Sequence, residues 1–159
     1  MKKYIYVILI LMMILLSGCT QIDENIENSQ TEEYDLDKMT QEIINKTNEY
    51  RKENGLNELV IDETLTMAAN IRASELPQSW SHVRPDGTKV FDWLKQNNYK
   101  YTLAGENLGK FQKNTDEIMQ MWKSSPEHNE NLLNDYTKIG VGIYKDSKNN
   151  LYFAQIFSK

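Results

Sequence analysis

A chain of 159 residues and 18.6 kDa has room for one domain and a short additional segment, but not for two full domains. Its net charge of −5 and pI near 5.1 exclude the basic character of a typical nucleic-acid-binding protein, so no nucleic-acid partner is expected. The single cysteine excludes an intrachain disulfide and a cysteine-rich zinc finger.

The first residues have the pattern of an export signal. Two lysines precede the apolar run Tyr4 to Leu16, which covers about 20 Å as a helix and falls short of the ~30 Å hydrocarbon core of a membrane. The run ends in Leu16-Ser17-Gly18-Cys19, which resembles the lipobox of bacterial lipoproteins. We therefore predict a signal peptide over residues 1–18, lipidation of Cys19 and an extracytoplasmic protein anchored to a bacterial cell membrane. A plain signal peptide or an uncleaved anchor is the alternative.

An acidic segment follows the predicted lipidation site. Thr20 to Asp37 contains seven acidic residues and no basic residue, so its charges repel one another and favour an extended chain. Residues 19–37 are therefore predicted to be a lipidated, disordered tether, with an acidic helix folded onto the domain as the alternative. The folded domain is predicted to cover residues 38–159.

Helical patterns dominate the first half of this domain. Met39, Ile43, Ile44 and Tyr50 recur at helical spacing, with Asp37 or Thr40 as N-cap and Gly55 after the helix. A short apolar link leads to a second helix, which is capped by Asp62 and ends before Pro77. After a loop through Pro85-Asp86-Gly87, residues 90–94 suggest a short third helix.

The second half of the domain ends in strands. Residues 99–108 are irregular to extended, Thr115 is a candidate cap for a fourth helix, and Ser125-Pro126 begins a fifth. Residues 138–145 and 151–157 are predicted to form a β-hairpin. Because the helices come first and the hairpin last, the expected fold class is α+β.

The candidate chemical residues are few. They are His82 in the loop after the second helix, Glu106 between small and apolar neighbours, and Glu127 and His128 after Pro126. Imidazole and carboxylate groups bind zinc, and they also act as acids and bases without a metal. Each residue alone has an ordinary structural interpretation, and 46 residues separate the two histidines.

Taken in order, these motifs resemble the bacterial, SCP-like branch of the CAP superfamily, which comprises cysteine-rich secretory proteins, antigen 5 and pathogenesis-related proteins. The likeness extends over residues 39–157. The motifs that carry it are Ser81-His82 with Arg84-Pro85-Asp86-Gly87, Gly105-Glu106-Asn107-Leu108, Trp122 with Ser125-Pro126 and His128, Ile139-Gly140-Val141-Gly142, and Tyr152-Phe153-Ala154-Gln155.

This resemblance implies an α-β-α sandwich with helices on both faces of a small, mainly antiparallel sheet. It also implies a cleft where two histidines and two glutamates bind a divalent metal such as zinc. His82 and Glu106 match that set, and His128 follows a bacterial S-P-x-H pattern in which Glu127 replaces the usual glycine. Tyr152 stands where the animal and plant proteins have their second histidine. The expected metal set is therefore His82, His128 and Glu106, with zinc as a possible cofactor.

Two functions follow as hypotheses. The first is a non-enzymatic binding module at the cell surface, whose cleft is lined by His82, Glu106, Glu127, His128, Trp80 and Tyr152 and holds a small ligand, a lipid or a cell-wall fragment. The second is a hydrolase of peptide or cell-wall material, in which His82, Glu106 and His128 act as a metal site or as acid and base. Ser81 and Ser125 are weak candidates for a nucleophile because neither lies in a nucleophile-elbow motif. The sequence leaves the oligomeric state open.

Overall fold

The structure, a computed structural model, describes residues 34–159, and the predicted signal peptide, Cys19 and most of the acidic segment lie outside these residues. This part of the chain contains five helices and four strands. In chain order they are α1 (Leu36–Glu53), β1 (Val60–Ile61), α2 (Glu63–Glu75), α3 (Val90–Gln96), β2 (Ala104–Lys110), α4 (Thr115–Ser124), α5 (Pro126–Leu133), β3 (Lys138–Lys145) and β4 (Leu151–Ser158).

The four strands form one mixed sheet in the order β1-β3-β4-β2. β1 runs parallel to β3, while β4 pairs antiparallel with both β3 and β2. β2 is therefore an edge strand, and its register places Glu106 opposite Ile156 and Lys110 opposite Tyr152. The predicted α+β class and the mainly antiparallel sheet are confirmed.

Strand side chains alternate between the two faces of the sheet, so both faces carry apolar side chains. Helices cover each face. Ile139, Val141 and Phe153 point to the face covered by α1, α4 and α5, which we call the α1 face. Ala154 and Ile156 point to the face covered by α2 and α3, the α2 face. Each face has its own buried apolar cluster, so the three-layer sandwich implied by the resemblance is confirmed, and residues 34–159 contain a complete core.

Helix α2 lies unusually close to the sheet because β3 presents glycines to it. A Cβ atom added to Gly140 would lie 2.1 Å from the backbone carbon of Leu65, and one added to Gly142 would lie 2.3 Å from that of Ala69. The two glycines alternate with buried Ile139 and Val141, which point to the other face. This contact fixes the position of α2, which carries residues of the candidate site.

The helix starts correct three expectations. Asp35 caps α1, accepting from the backbone N–H of Lys38, so neither Asp37 nor Thr40 is the cap. Since α1 begins at Leu36, the last residues assigned to the tether belong to the folded domain. Asn114, rather than Thr115, caps α4. Its amide oxygen accepts from the backbone N–H at the third helical position, as an N-cap side chain normally does.

Other boundaries agree with the sequence patterns. Asp62 caps α2, and α5 begins with Pro126 at its first position. The hairpin between β3 and β4 turns through residues 146–150. Among the helices of residues 34–159, none combines the length and apolarity that a membrane span requires.

Candidate functional site

The core of the candidate site is a pair formed by His82 and Glu106. Glu106 lies on β2, its side chain points to the α2 face, and its carboxylate is almost completely buried. His82 lies in the loop after α2, and its Nδ1 is 2.6 Å from Oε2 of Glu106. The His82 side chain is nevertheless 60% exposed, so the rest of the ring faces solvent. The structure therefore brings together two residues that are 24 positions apart and that the sequence identified separately.

The buried carboxylate of Glu106 is balanced by Arg72 of α2. Nε of Arg72 donates to Oε1 of Glu106 at 3.0 Å, so each carboxylate oxygen has a partner. Arg72 is completely buried, and its other nitrogens donate to Glu75 Oε2 at 2.8 Å and to the backbone carbonyl of Ser81 at 2.7 Å. A buried charge is costly unless it is paired and hydrogen-bonded, and here both charges meet that condition.

A second ion pair holds the loop on the other side of His82. Arg84 donates from Nη2 to Glu75 Oε1 at 2.7 Å and from Nε to both oxygens of the same carboxylate at 3.1 Å. Arg84 also lies 3.2 Å from Asp86, in the turn that Gly87 completes with a φ of +84°. The loop is therefore fixed to α2 both before and after His82.

These contacts change the pKa of His82. The hydrogen bond to the Glu106 carboxylate raises the pKa of His82 above its ordinary value, and this effect outweighs the opposing desolvation. Arg72 and Lys89 act in the opposite direction because their positive charges repel a protonated ring. With Nδ1 held by the carboxylate, Nε2 is the nitrogen available to solvent or to a ligand.

His128 approaches from the other face of the sheet. It lies on α5, whose backbone is tied to β2 because Nδ2 of Asn107 donates to the carbonyl of His128 at 3.1 Å. Asn131 adds a bond from its Nδ2 to the carbonyl of Glu106 at 3.2 Å. Adjacent residues of one edge strand thus anchor the two histidines, since Glu106 points to the α2 face and Asn107 to the α1 face.

The environment of His128 favours the neutral ring. Burial lowers the pKa of His128 first, and the positive charge on His82 lowers it further, so the two rings interact electrostatically. Nδ1 of His128 is buried and has no hydrogen-bond partner within the described residues. Glu127 is exposed in the first turn of α5 and raises the pKa of His128 slightly through its negative charge.

The zinc set implied by the resemblance is not assembled. No three His, Cys, Asp or Glu side chains within residues 34–159 are grouped so that they could hold a metal ion. Both oxygens of Glu106 are already bound, one of them to a guanidinium whose positive charge opposes a nearby cation. The donor set of His82, His128 and Glu106 therefore does not fit zinc in this arrangement.

Trp80 and Tyr152 belong to an aromatic strip at the other end of β2, which we define as Trp80, Lys110, Phe111 and Tyr152. Nζ of Lys110 lies 4.3 Å from the ring centroid of Trp80 and 5.2 Å from that of Phe111, and Phe111 meets Tyr152 edge-on at 5.6 Å. Trp80 and Phe111 are about half exposed. Tyr152 lies on the same face as Glu106 but opposite Lys110, four residues further along β2, so the structure does not place it against the His82–Glu106 pair.

A separate groove of about 710 Å³ runs between α1 and α4. Its lining includes Lys46, Glu49, Tyr50, Met119 and Lys123, and none of the predicted site residues contributes to it. Trp122 is fully buried in the core.

Sequence reasoning missed Arg72 and Glu75 as site residues. One signal was present, because Arg72 shares a helix face with Leu65, Ala68 and Ala69, all of them completely buried. A charged residue on an apolar face requires a buried partner. The sequence could therefore have predicted an acidic partner for Arg72, although not that the partner is Glu106.

Comparisons with known proteins agree with this architecture. The family model of CAP, the cysteine-rich secretory protein family, matches residues 44–157. An uncharacterized protein of Bacillus subtilis (strain 168), YkwD, is 36% identical over 103 residues, which cover 63% of this chain and 40% of that protein.

Two solved structures are also similar. An extracellular protein containing an SCP domain from Bacillus anthracis is 27% identical with a TM-score of 0.71, over 78% of this chain and 41% of the other. An outer surface protein from Borrelia burgdorferi is 28% identical with a TM-score of 0.71, over 77% of this chain and 92% of the other. This chain spans about two fifths of the length of each Bacillus relative.

The chain therefore belongs to the CAP superfamily, the cysteine-rich secretory protein family. Its relatives include bacterial proteins that carry an SCP domain.

Proposed function

We propose that this protein is a cell-surface binding module, in which His82 and the aromatic strip contact a fragment of the cell wall. The observation that carries the proposal is that one side of the His82 ring is bound and the other side is exposed. Its Nδ1 is bound to a buried carboxylate, while the remainder of the ring is exposed in the same loop as a half-exposed tryptophan. Such a pairing of one oriented polar group with aromatic surface is typical of ligand recognition.

The chemistry of this surface favours a sugar-containing ligand. Aromatic faces such as those of Trp80 and Phe111 pack against the apolar faces of sugar rings, while Lys110 supplies hydrogen-bond donors for hydroxyl, carbonyl or carboxylate oxygens. Nε2 of His82 accepts from a hydroxyl group when the ring is neutral and donates when the ring is protonated. Neither Ser81 nor Ser125 bonds a histidine within the described residues, so the surface offers recognition groups rather than an activated hydroxyl.

The binding experiment uses soluble peptidoglycan fragments titrated against residues 34–159. We expect saturable binding that is weakened about tenfold or more by Trp80→Ala and by His82→Gln, because a well-placed aromatic or charged contact contributes roughly 1–3 kcal/mol. Met67→Ala is the matched control, since Met67 is an exposed apolar residue outside the site. Unchanged affinity in both site variants would refute the assignment.

The location at the cell surface is proposed from the sequence of the N-terminal segment. Signal peptide 1–18 directs export, the lipid on Cys19 anchors the protein to the outside of the membrane, and the extracellular and outer-surface descriptions of two relatives support this view. Labelling of cells with a fatty-acid analogue is expected to mark the wild-type protein and not Cys19→Ala. Equal labelling of both would contradict lipidation.

Hydrolysis is a second candidate because the His82–Glu106 pair has the arrangement of a general base held by a carboxylate. This candidate predicts that residues 34–159 cleave peptidoglycan or casein and that His82→Ala abolishes the cleavage without loss of the fold. Binding without turnover would exclude it.

A further inference from the structure

We propose that Arg72 is the positioning residue of the His82 site, holding both the carboxylate that binds the ring and the backbone that carries it. The proposal relies on the proposed function only in treating His82 as a ligand contact. Its evidence is a set of three hydrogen bonds made by one completely buried guanidinium.

The three bonds reach His82 by two routes. Nε of Arg72 donates to Oε1 of Glu106, whose other oxygen binds the His82 ring. Nη2 of Arg72 donates to the carbonyl of Ser81, the residue immediately before His82. Because a guanidinium is a rigid planar group, these two routes fix the ring and its backbone relative to each other.

The third bond makes the arrangement a clamp. Arg72 Nη1 binds Glu75 one turn further along α2, and Glu75 holds Arg84 two residues after His82. Residues three apart share one face of a helix. Arg72 and Glu75, on a single turn of α2, therefore bind the loop on both sides of the histidine. This is how an exposed loop residue acquires a fixed orientation.

The clamp also determines which nitrogen of His82 carries the proton in the neutral ring. A carboxylate only accepts hydrogen bonds, so Nδ1 of His82 donates to Glu106 and Nε2 is left as an acceptor. Glu106 cannot rotate away easily because Arg72 holds its second oxygen. Arg72 therefore sets both the direction and the hydrogen-bonding role of the nitrogen that meets the ligand.

The test compares two buried arginines by ¹⁵N NMR of the imidazole groups in residues 34–159. The sequence has only two histidines, so His128→Gln assigns the His82 signals. At a pH well above the pKa of His82, the wild-type Nδ1 is expected in the protonated, pyrrole-type region. In Arg72→Lys its signal should move toward the unprotonated, pyridine-type region, because an ammonium group lacks the fork that reaches both acceptors.

Arg51→Lys is the matched control. Arg51 is equally buried and donates to the carbonyls of Asn57, Leu132, Asn134 and Tyr136, with no contact to the His82 loop. It should lower stability and leave the His82 signals in place. An unchanged His82 pattern in Arg72→Lys, or an equal change in Arg51→Lys, overturns the proposal.

Glu106→Gln tests the same idea if Arg72→Lys does not fold. With Arg72 intact, the guanidinium must face the amide oxygen, so the amide NH₂ faces His82 and Nδ1 becomes an acceptor. The expected result is a complete change of tautomer, with the proton on Nε2. Retention of the proton on Nδ1 would show that Arg72 does not orient residue 106.

These measurements need no ligand, so they separate the two proposals. A normal response of the His82 signals together with no binding of peptidoglycan fragments would reject the proposed function and leave the role of Arg72 standing. Binding that persists while Arg72→Lys leaves the signals unchanged would do the reverse.

Discussion

Replacement of Gly142 by alanine tests whether the close contact between α2 and the sheet sets the geometry of the site. The new Cβ would lie 2.3 Å from the backbone carbon of Ala69, whereas ordinary van der Waals contact begins at 3.4 Å. Helix α2 must therefore retreat by about 1.1 Å, because the atoms it meets belong to the backbone and have no rotamer to change. Such overpacking costs roughly 1–3 kcal/mol of unfolding free energy.

The same movement reaches the candidate site. Arg72 is carried by α2 and Glu106 by the sheet, so their 3.0 Å hydrogen bond lengthens toward about 4 Å, beyond the normal limit of ~3.2 Å. We therefore expect Gly142→Ala to lower the melting temperature by roughly 4–12 °C and also to change the His82 imidazole signals.

The measurements are thermal unfolding followed by circular dichroism and the ¹⁵N spectrum of His82. Gly109→Ala is the control, because its new Cβ would meet the flexible end of the Ile118 side chain on the opposite face. That variant should lose less stability and keep the His82 signals. A Gly142→Ala protein as stable as the wild type, with an unchanged His82 spectrum, would refute this reasoning.

Three further predictions concern stability. The raised pKa of His82 stabilises the fold below the unfolded pKa of histidine, and this contribution is lost as pH rises through the folded pKa. The unfolding free energy of His82→Gln, measured in urea, should therefore be lower than that of the wild type by under ~1 kcal/mol, and only at low pH. The lowered pKa of His128 acts oppositely, because stability is lost as pH falls, so His128→Phe should reduce the acid sensitivity seen in the same titration. Trp122→Phe removes the 3.0 Å bond from Nε1 to the buried carbonyl of Leu108, and we expect a loss of about 2–3 kcal/mol in denaturant unfolding.

The elements with strong periodicity could be predicted from the sequence, whereas for β2 the sequence predicts only an irregular to extended segment over residues 99–108. β3 and β4 have apolar runs and a polar turn between them, and the helices have caps and buried faces. β2 reads AGENLGK, with two glycines and three polar residues, and its strand character comes from pairing with β4. Pairing between distant segments overrides local propensity at such a position.

The candidate site shows a similar division. The family resemblance identified His82 and Glu106, but the residues alone gave no reason to place them in contact. Arg72 was missed because its role depends on how closely α2 approaches the sheet, which only the packing against β3 reveals. Tyr152 was predicted to line the same cleft as Glu106, yet the register of β2 and β4 places it opposite Lys110, four residues beyond Glu106.

The strand order has a consequence for how the chain acquires its structure. β4 lies between β3 and β2 and comes after both of them in the chain. Until residues 151–158 are available, β2 has no strand partner, and β2 and β3 cannot join into one sheet. Because contacts between distant segments form slowly, we expect the sheet to be completed only after its last strand has been delivered. A polypeptide that emerges gradually from the ribosome or from a translocation channel would therefore fold late and as a whole, and the His82–Glu106 contact would form only at that final step.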